Sequence, residues 1–283
     1  MNIYQQFSQR LDELQSLNIV SIYFRGVNSK DAFEMFKQEP EEGNIRSFAE
    51  KIFFFGNKSA YYWKNDVQNK IPINEVSDKV FEYLFTKYHK LKNSKDPKIK
   101  TFIEKNSTKF EMFFDGKRKK EFLELCLNQS SEDVKMTRDY LFMVLHRIGD
   151  ISSYKKKSHF LSSTSKLVIS KKFSKDGIII KFWDPHNLEL NYKGVLNFSE
   201  MIHSDQKEYS AFSAIFPHYI FSFTYKDIEY FNPNIESCVD VDICIMSGFP
   251  VYQENFMQRL YEETQYETGV ETENHREYKE IKK

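Results

Sequence analysis

Apolar residues recur at helical spacing at the start of the chain, at Tyr4, Phe7, Leu11, Leu14 and Leu17, and this periodicity predicts a helix. IVSIYFRG (19–26) then reads as a short strand, rich in β-branched and aromatic residues and stopped by Gly26. From about 31 to 150 the pattern is mostly helical. SDKVFEYLFTKYHKL (77–91) and SEDVKMTRDYLFMVLHRIG (131–149) each open with a Ser and acids and carry an apolar stripe. After Gly149 the texture changes. HFLSST, GIIIKFWDP, KGVLNFS, KEYSAFSAIF and HYIFSFTY are short apolar runs broken by Gly, Pro, Asn and Asp, which predicts strands.

The expectation is an α+β architecture. Residues 1–29 supply an N-terminal helix and a first core strand, and 30–157 a helical block. Residues 158–226 form the strand-rich core, and 227–283 a partly helical extension. The first strand must pair with the late ones, because an isolated strand has no partner for its backbone groups.

Composition narrows the function classes. The chain has 283 residues, enough for one large domain or two small ones. Lys plus Arg equals Asp plus Glu, at 41 each, so no global field points to nucleic acid or membrane. The balance hides local asymmetry: KLKNSKDPKIK (90–100) and GKRKK (116–120) are basic, whereas 253–283 carries eight Glu against five Lys and Arg. Cys126, Cys238 and Cys244 have no metal-like spacing and make an odd count, which fits a reducing cytoplasm better than a disulfide framework. The opening segment is amphipathic without the apolar core of a signal peptide, and no run reaches membrane-spanning length. The expectation is a cytoplasmic protein with no membrane partner and no metal.

Candidate chemistry enters with three hydroxyls. Ser163, Thr164 and Ser165 follow Phe160 and Leu161 and precede a helical run, a position where Ser and Thr commonly cap. Two other stretches give them company: YFRGVNS (23–29) and SDQKEYSAF (204–212). In chain order these are an Arg ending a strand, a Ser-Thr-Ser strand followed by a helix, and a Gln-x-Glu entering a strand. The series resembles the Arg, Ser-Thr-Ser, Gln/Glu-x-Glu signature of the ADP-ribosyltransferase family, which cleaves NAD at the nicotinamide glycosidic bond and transfers ADP-ribose to a macromolecule. The likeness covers roughly 18–29 and 158–226. It departs from the family in the length of 30–157, which separates the arginine strand from the hydroxyl strand.

The resemblance implies a split mixed or antiparallel sheet with a large helical insertion after its first strand, and NAD as substrate. It gives Glu208 the grip on the ribose hydroxyls and the stabilisation of the oxocarbenium-like state. Arg25, followed by Gly26, takes the diphosphate, which suits a planar fork of donors. Ser163 matches the first serine and orients the glutamate; Ser162 reads equally well in that place, and the spacing to Phe160 favours Ser163. Thr164 and Ser165 hold the strand edge, with Ser165 also placed to cap the next helix. Gln206 lies where the acceptor arrives.

A neutral amide at Gln206 suits a neutral acceptor, whereas a guanidinium wants a carboxylate, so a nucleobase or an Asn or Gln side chain is favoured over arginine. The lysine patches at 90–120 and the aromatic content (16%) tilt the choice to RNA, with protein amides as the alternative. Similar intracellular family members are toxins of toxin–antitoxin or phage-defence systems, which implies an antitoxin protein as partner. A non-enzymatic interaction module is the reading in which the three motifs coincide by accident.

Overall fold

The computed structural model describes residues 1–36, 38–58, 76–148, 158, 160–185, 194, 196–198, 208–212 and 214–250. In chain order its first elements are α1 (Ile3–Ser16), β1 (Ser21–Val27), α2 (Ser29–Phe36), α3 (Ile45–Phe55) and β2 (Asn57–Lys58). Five helices follow: α4 (Asp78–Lys90), α5 (Pro97–Lys105), α6 (Ser107–Phe114), α7 (Lys119–Leu127) and α8 (Ser131–Ile148). The rest are β3 (Phe160–Thr164), α9 (Leu167–Ser174), β4 (Ile178–Asp184), β5 (Glu208–Phe212), β6 (Ala214–Ile215), β7 (Ile220–Tyr225), β8 (Ile228–Phe231) and α10 (Val241–Ser247).

The chain divides into two compact units. One comprises Met1–Asn65, Phe160–Glu189 and Gln206–Lys283, the other Asp66–His159 and Leu190–Asp205. The first unit therefore takes in α2 and α3, which the sequence pattern groups with the helical block.

The sheet unit carries six strands in the order β5-β3-β1-β4-β7-β8, and every described pairing in it is antiparallel. The first strand lies in the middle, between β3 and β4. β8 extends the sheet past residue 226, and α10 follows at 241–247, so part of the expected extension is core. Strand alternation divides the apolar residues between two faces. Tyr23, Val27, Leu161, Ile180, Tyr209 and Phe223 look to one side, where Phe48, Ile52 and Phe53 of α3 cover them. Ile22, Trp183 and, at a register shift between β4 and β7 that breaks the alternation, Phe221 look to the other, under Phe7, Leu11 and Leu14 of α1 and Ile245 of α10. Trp183 closes this second core by donating its indole N–H to the Ile245 carbonyl at 2.7 Å.

Pairing within the sheet is uneven. β1 runs beside β4 from Ser21↔Asp184 to Val27↔Ile178, but meets β3 at the single register Phe24↔Thr164. The sheet is thus split between β1 and β3. Gly26 explains what lies over that place. A Cβ there would stand 2.0 Å from the Ser170 carbonyl oxygen and 2.7 Å from the Ser174 nitrogen, so α9 approaches β1 as closely as backbone allows.

The helical unit is built on aromatic contacts. α4 buries Val80, Phe81, Leu84, Phe85 and Tyr88 along one stripe, and Tyr88 stacks on Phe113 of α6 at 4.5 Å. KGVLNFS makes no strand among its described residues. Phe198 instead packs against Phe102, Phe110 and Tyr88, with its backbone N–H donating to the Tyr140 hydroxyl at 2.6 Å. The apolar run that suggested a strand serves the helical core. Among the described residues, no helix is long and apolar enough to cross a membrane.

Candidate active site

Arg25, the Ser162–Thr164 hydroxyls and Glu208 lie on β1, β3 and β5, three consecutive strands of the sheet unit. Glu208 stands opposite Thr164, Tyr209 opposite Ser163, and Ser210 opposite Ser162. Directly opposed residues of an antiparallel pair share a face. Glu208 therefore looks to the side of Thr164, Ser162 and Ser210, and the Ser210 hydroxyl lies 3.4 Å from Glu208 Oε1. Phe24 joins them through its pairing with Thr164.

Ser163 looks the other way. It is buried beside Tyr209, whose ring stacks on Tyr23 at 4.0 Å and whose hydroxyl donates to Asp184 Oδ2 at 2.9 Å. The Ser163 Oγ has no hydrogen-bond partner among the described residues. The hydroxyl expected to orient Glu208 is thus on the opposite face, whereas Ser162, the other reading of the triplet, is exposed on the Glu208 face.

Arg25 is two residues from Tyr23 and shares its side of β1. Nε donates to Asn57 Oδ1 at 2.7 Å, and Nη1 reaches the Ser162 carbonyl at 2.6 Å. The guanidinium therefore bridges the two strands where regular pairing between them stops. Asn57, fully buried, is held in β2 by its pairing with Ile215 of β6. Burial pushes Arg25 down to about 10, and the charges of Asp31 and Glu208 act in the opposite direction. It remains a cation at neutral pH, and Glu208 is close enough to act on it. The expected diphosphate fork is thus committed in part to holding β3.

Thr164 is buried, and its Oγ1 accepts the Lys166 amide at 3.1 Å. This is the local turn expected of Ser165, which is exposed; α9 itself begins without a side-chain cap. Gly26 contributes through the close approach of α9. Gln206 lies outside the described residues. Asn57, Tyr209 and Ser210 were not legible as site residues: Asn57 follows a helix in an unremarkable FGNK, and only strand alternation separates Tyr209 from its neighbour Glu208. Among the described residues, no cluster of His, Cys, Asp and Glu is arranged to hold a metal ion.

Comparison with family models, curated proteins and solved structures finds no match to the chain.

Proposed function

We propose that the chain is an NAD-dependent ADP-ribosyltransferase that moves ADP-ribose from NAD to a base of RNA. One observation carries the reading: Arg25 holds the Ser162 carbonyl across the split, and the Glu208 carboxylate, one strand further, acts on the Arg25 charge. Arg25 leaves β1 on the Tyr23 face and Glu208 leaves β5 on the opposite face, beside Ser162, so the two flank β3 from its two sides.

In this reading the bond between the ribose anomeric carbon and the nicotinamide nitrogen breaks, and its electron pair leaves with nicotinamide. Glu208 offsets the positive charge that develops on the ribose ring. An exocyclic amine of the acceptor base then bonds to the anomeric carbon and loses a proton to solvent. Ser162 takes the orienting place beside Glu208 that the triplet had given to Ser163. Arg25 is first a positioning residue for β3, with its remaining donors turned to the diphosphate. Gln206, two residues before Glu208, orients the incoming amine. The same resemblance makes the protein a bacterial toxin restrained by an antitoxin.

A second reading, a non-catalytic interaction module, is favoured by the burial of Ser163 on the face opposite Glu208. The experiment that separates the two is incubation with NAD labelled in its adenylate and a bacterial extract, followed by separate RNase, DNase and protease digestion. Label released by RNase supports RNA transfer. Label released only by protease moves the acceptor to protein, and no incorporation at all sinks the enzyme.

A further inference from the structure

We infer that the outer face of α9 is a binding surface for single-stranded nucleic acid, leading towards the face of β3 and β5 on which Glu208 lies. The inference names the acceptor's docking place and so rests on the transferase reading for its purpose, but not for its physical content.

α9 is packed inside out. Ser170 and Ser174 are buried, whereas Leu167, Val168 and Phe173 are 43%, 62% and 53% exposed. Gly26 supplies the reason: where the helix backbone meets β1 this closely, only small side chains fit inward. The large apolar residues are thereby turned to solvent, an arrangement that gains nothing for the fold by itself. Lys166, Lys171, Lys172 and Lys175 are exposed around them, and no carboxylate occurs between Phe160 and Lys175. The next acid in the chain, Asp176, is exposed, and Asp227 lies 3.9 Å from Lys171.

Excess positive charge selects a polyanion. Phe173 offers a ring on which a base can stack, and Leu167 and Val168 offer apolar contact to base and sugar. An anionic bilayer would also meet lysines and apolar side chains. The surroundings decide between them. β3 runs straight into α9, and β3 and its neighbour β5 carry the exposed Ser162 and the half-buried Glu208 on the face over which α9 packs, with Thr164 and Ser210 buried beside them. That polar row suits ribose and base edges, and is hostile to acyl chains. The lysines at 90–120 are a weaker alternative, since Lys119 pairs with Glu82 at 3.1 Å and Lys92 lies over the Phe114 ring.

The test is fluorescence anisotropy with a short labelled single-stranded RNA, without NAD, across a salt series. Reversing Lys171 and Lys172 together to Glu is expected to weaken binding by about ten-fold or more and to flatten the salt slope by about 1.4. Phe173→Ala is expected to weaken it by about ten-fold with the slope unchanged. All three side chains are exposed, and unaltered melting curves check that the variants fold. Binding that ignores these changes, or that is lost instead on reversing Lys90, Lys92, Lys117 and Lys119, overturns the inference. So does binding to phosphatidylserine vesicles in place of RNA. RNA binding that survives in a protein with no NAD-dependent activity would sink the transferase reading and leave this surface standing.

Discussion

Tyr209 stacks on Tyr23 with ring centroids 4.0 Å apart and planes 12° from parallel, although β3 lies between their two strands. The stack is possible because the residue opposite Tyr209 on β3 is the small Ser163. It also fixes the direction of Glu208. Neighbouring residues of a strand point to opposite faces, so seating Tyr209 in the α3-covered core turns Glu208 towards Ser162, Thr164 and Ser210.

The two serines should consequently behave differently. Ser163→Ala removes a buried hydroxyl that has no partner among the described residues, and is expected to leave stability unchanged or raise it by up to about 1 kcal/mol. The proposed transfer should stay within a few-fold of the wild-type rate. Ser162→Ala, on the Glu208 face, should lower the rate while sparing the melting temperature. Thermal melts and initial rates on both variants decide which serine faces the chemistry.

Arg25 should prove structural as well as functional. Arg25→Ala withdraws the donors that Asn57 Oδ1 and the Ser162 carbonyl receive, and should destabilise the protein by about 1–3 kcal/mol. Arg25→Lys keeps the charge but cannot span both acceptors as a planar fork, so it should recover only part of that loss. Urea unfolding of the three proteins measures the difference.

Gly26→Ala should unseat α9. The added Cβ meets backbone atoms of Ser170 and Ser174 rather than a flexible side chain, so relief requires moving the helix. A loss of about 1–3 kcal/mol is expected, visible as a lower melting temperature.

Acid should loosen the join between α1 and α10. Arg10 bonds Glu13 and Asp242, and hydrogen bonds from its guanidinium hold both carboxyls below their ordinary range. Carboxyls depressed in the folded state stabilise it above their unfolded values, and that contribution disappears as pH falls through the folded ones. The pairs are exposed, so the effect is small. Calorimetry below about pH 4 should show a melting temperature that falls more steeply in wild type than in Arg10→Ala.

Much of the fold was legible because its signals are local. The Tyr4–Leu17 stripe, the strand at IVSIYFRG and the helices around 77–91 and 131–149 follow from periodicity alone. KGVLNFS was misleading because a short apolar run carries no mark of what it packs against, and Phe198 is claimed by the aromatics of α4, α5 and α6. The strand IEYF (228–231) escaped notice because its exposed edge position lets it be half polar. At the site, chain order and strand context were readable, but facing was not. A shift of one residue between Ser162 and Ser163 reverses which hydroxyl meets Glu208, and only the pairing register fixes it.

Glu208 is the residue on which the proposed chemistry depends. Glu208→Gln keeps the size and most of the hydrogen bonding of the side chain, and removes the charge proposed to offset the developing cation. The measurement is single-turnover release of nicotinamide from NAD, alongside NAD binding by calorimetry, in wild type and variant. The rate should fall by about 10²–10³, with affinity changed only a few-fold. A variant that releases nicotinamide at the wild-type rate would contradict that dependence.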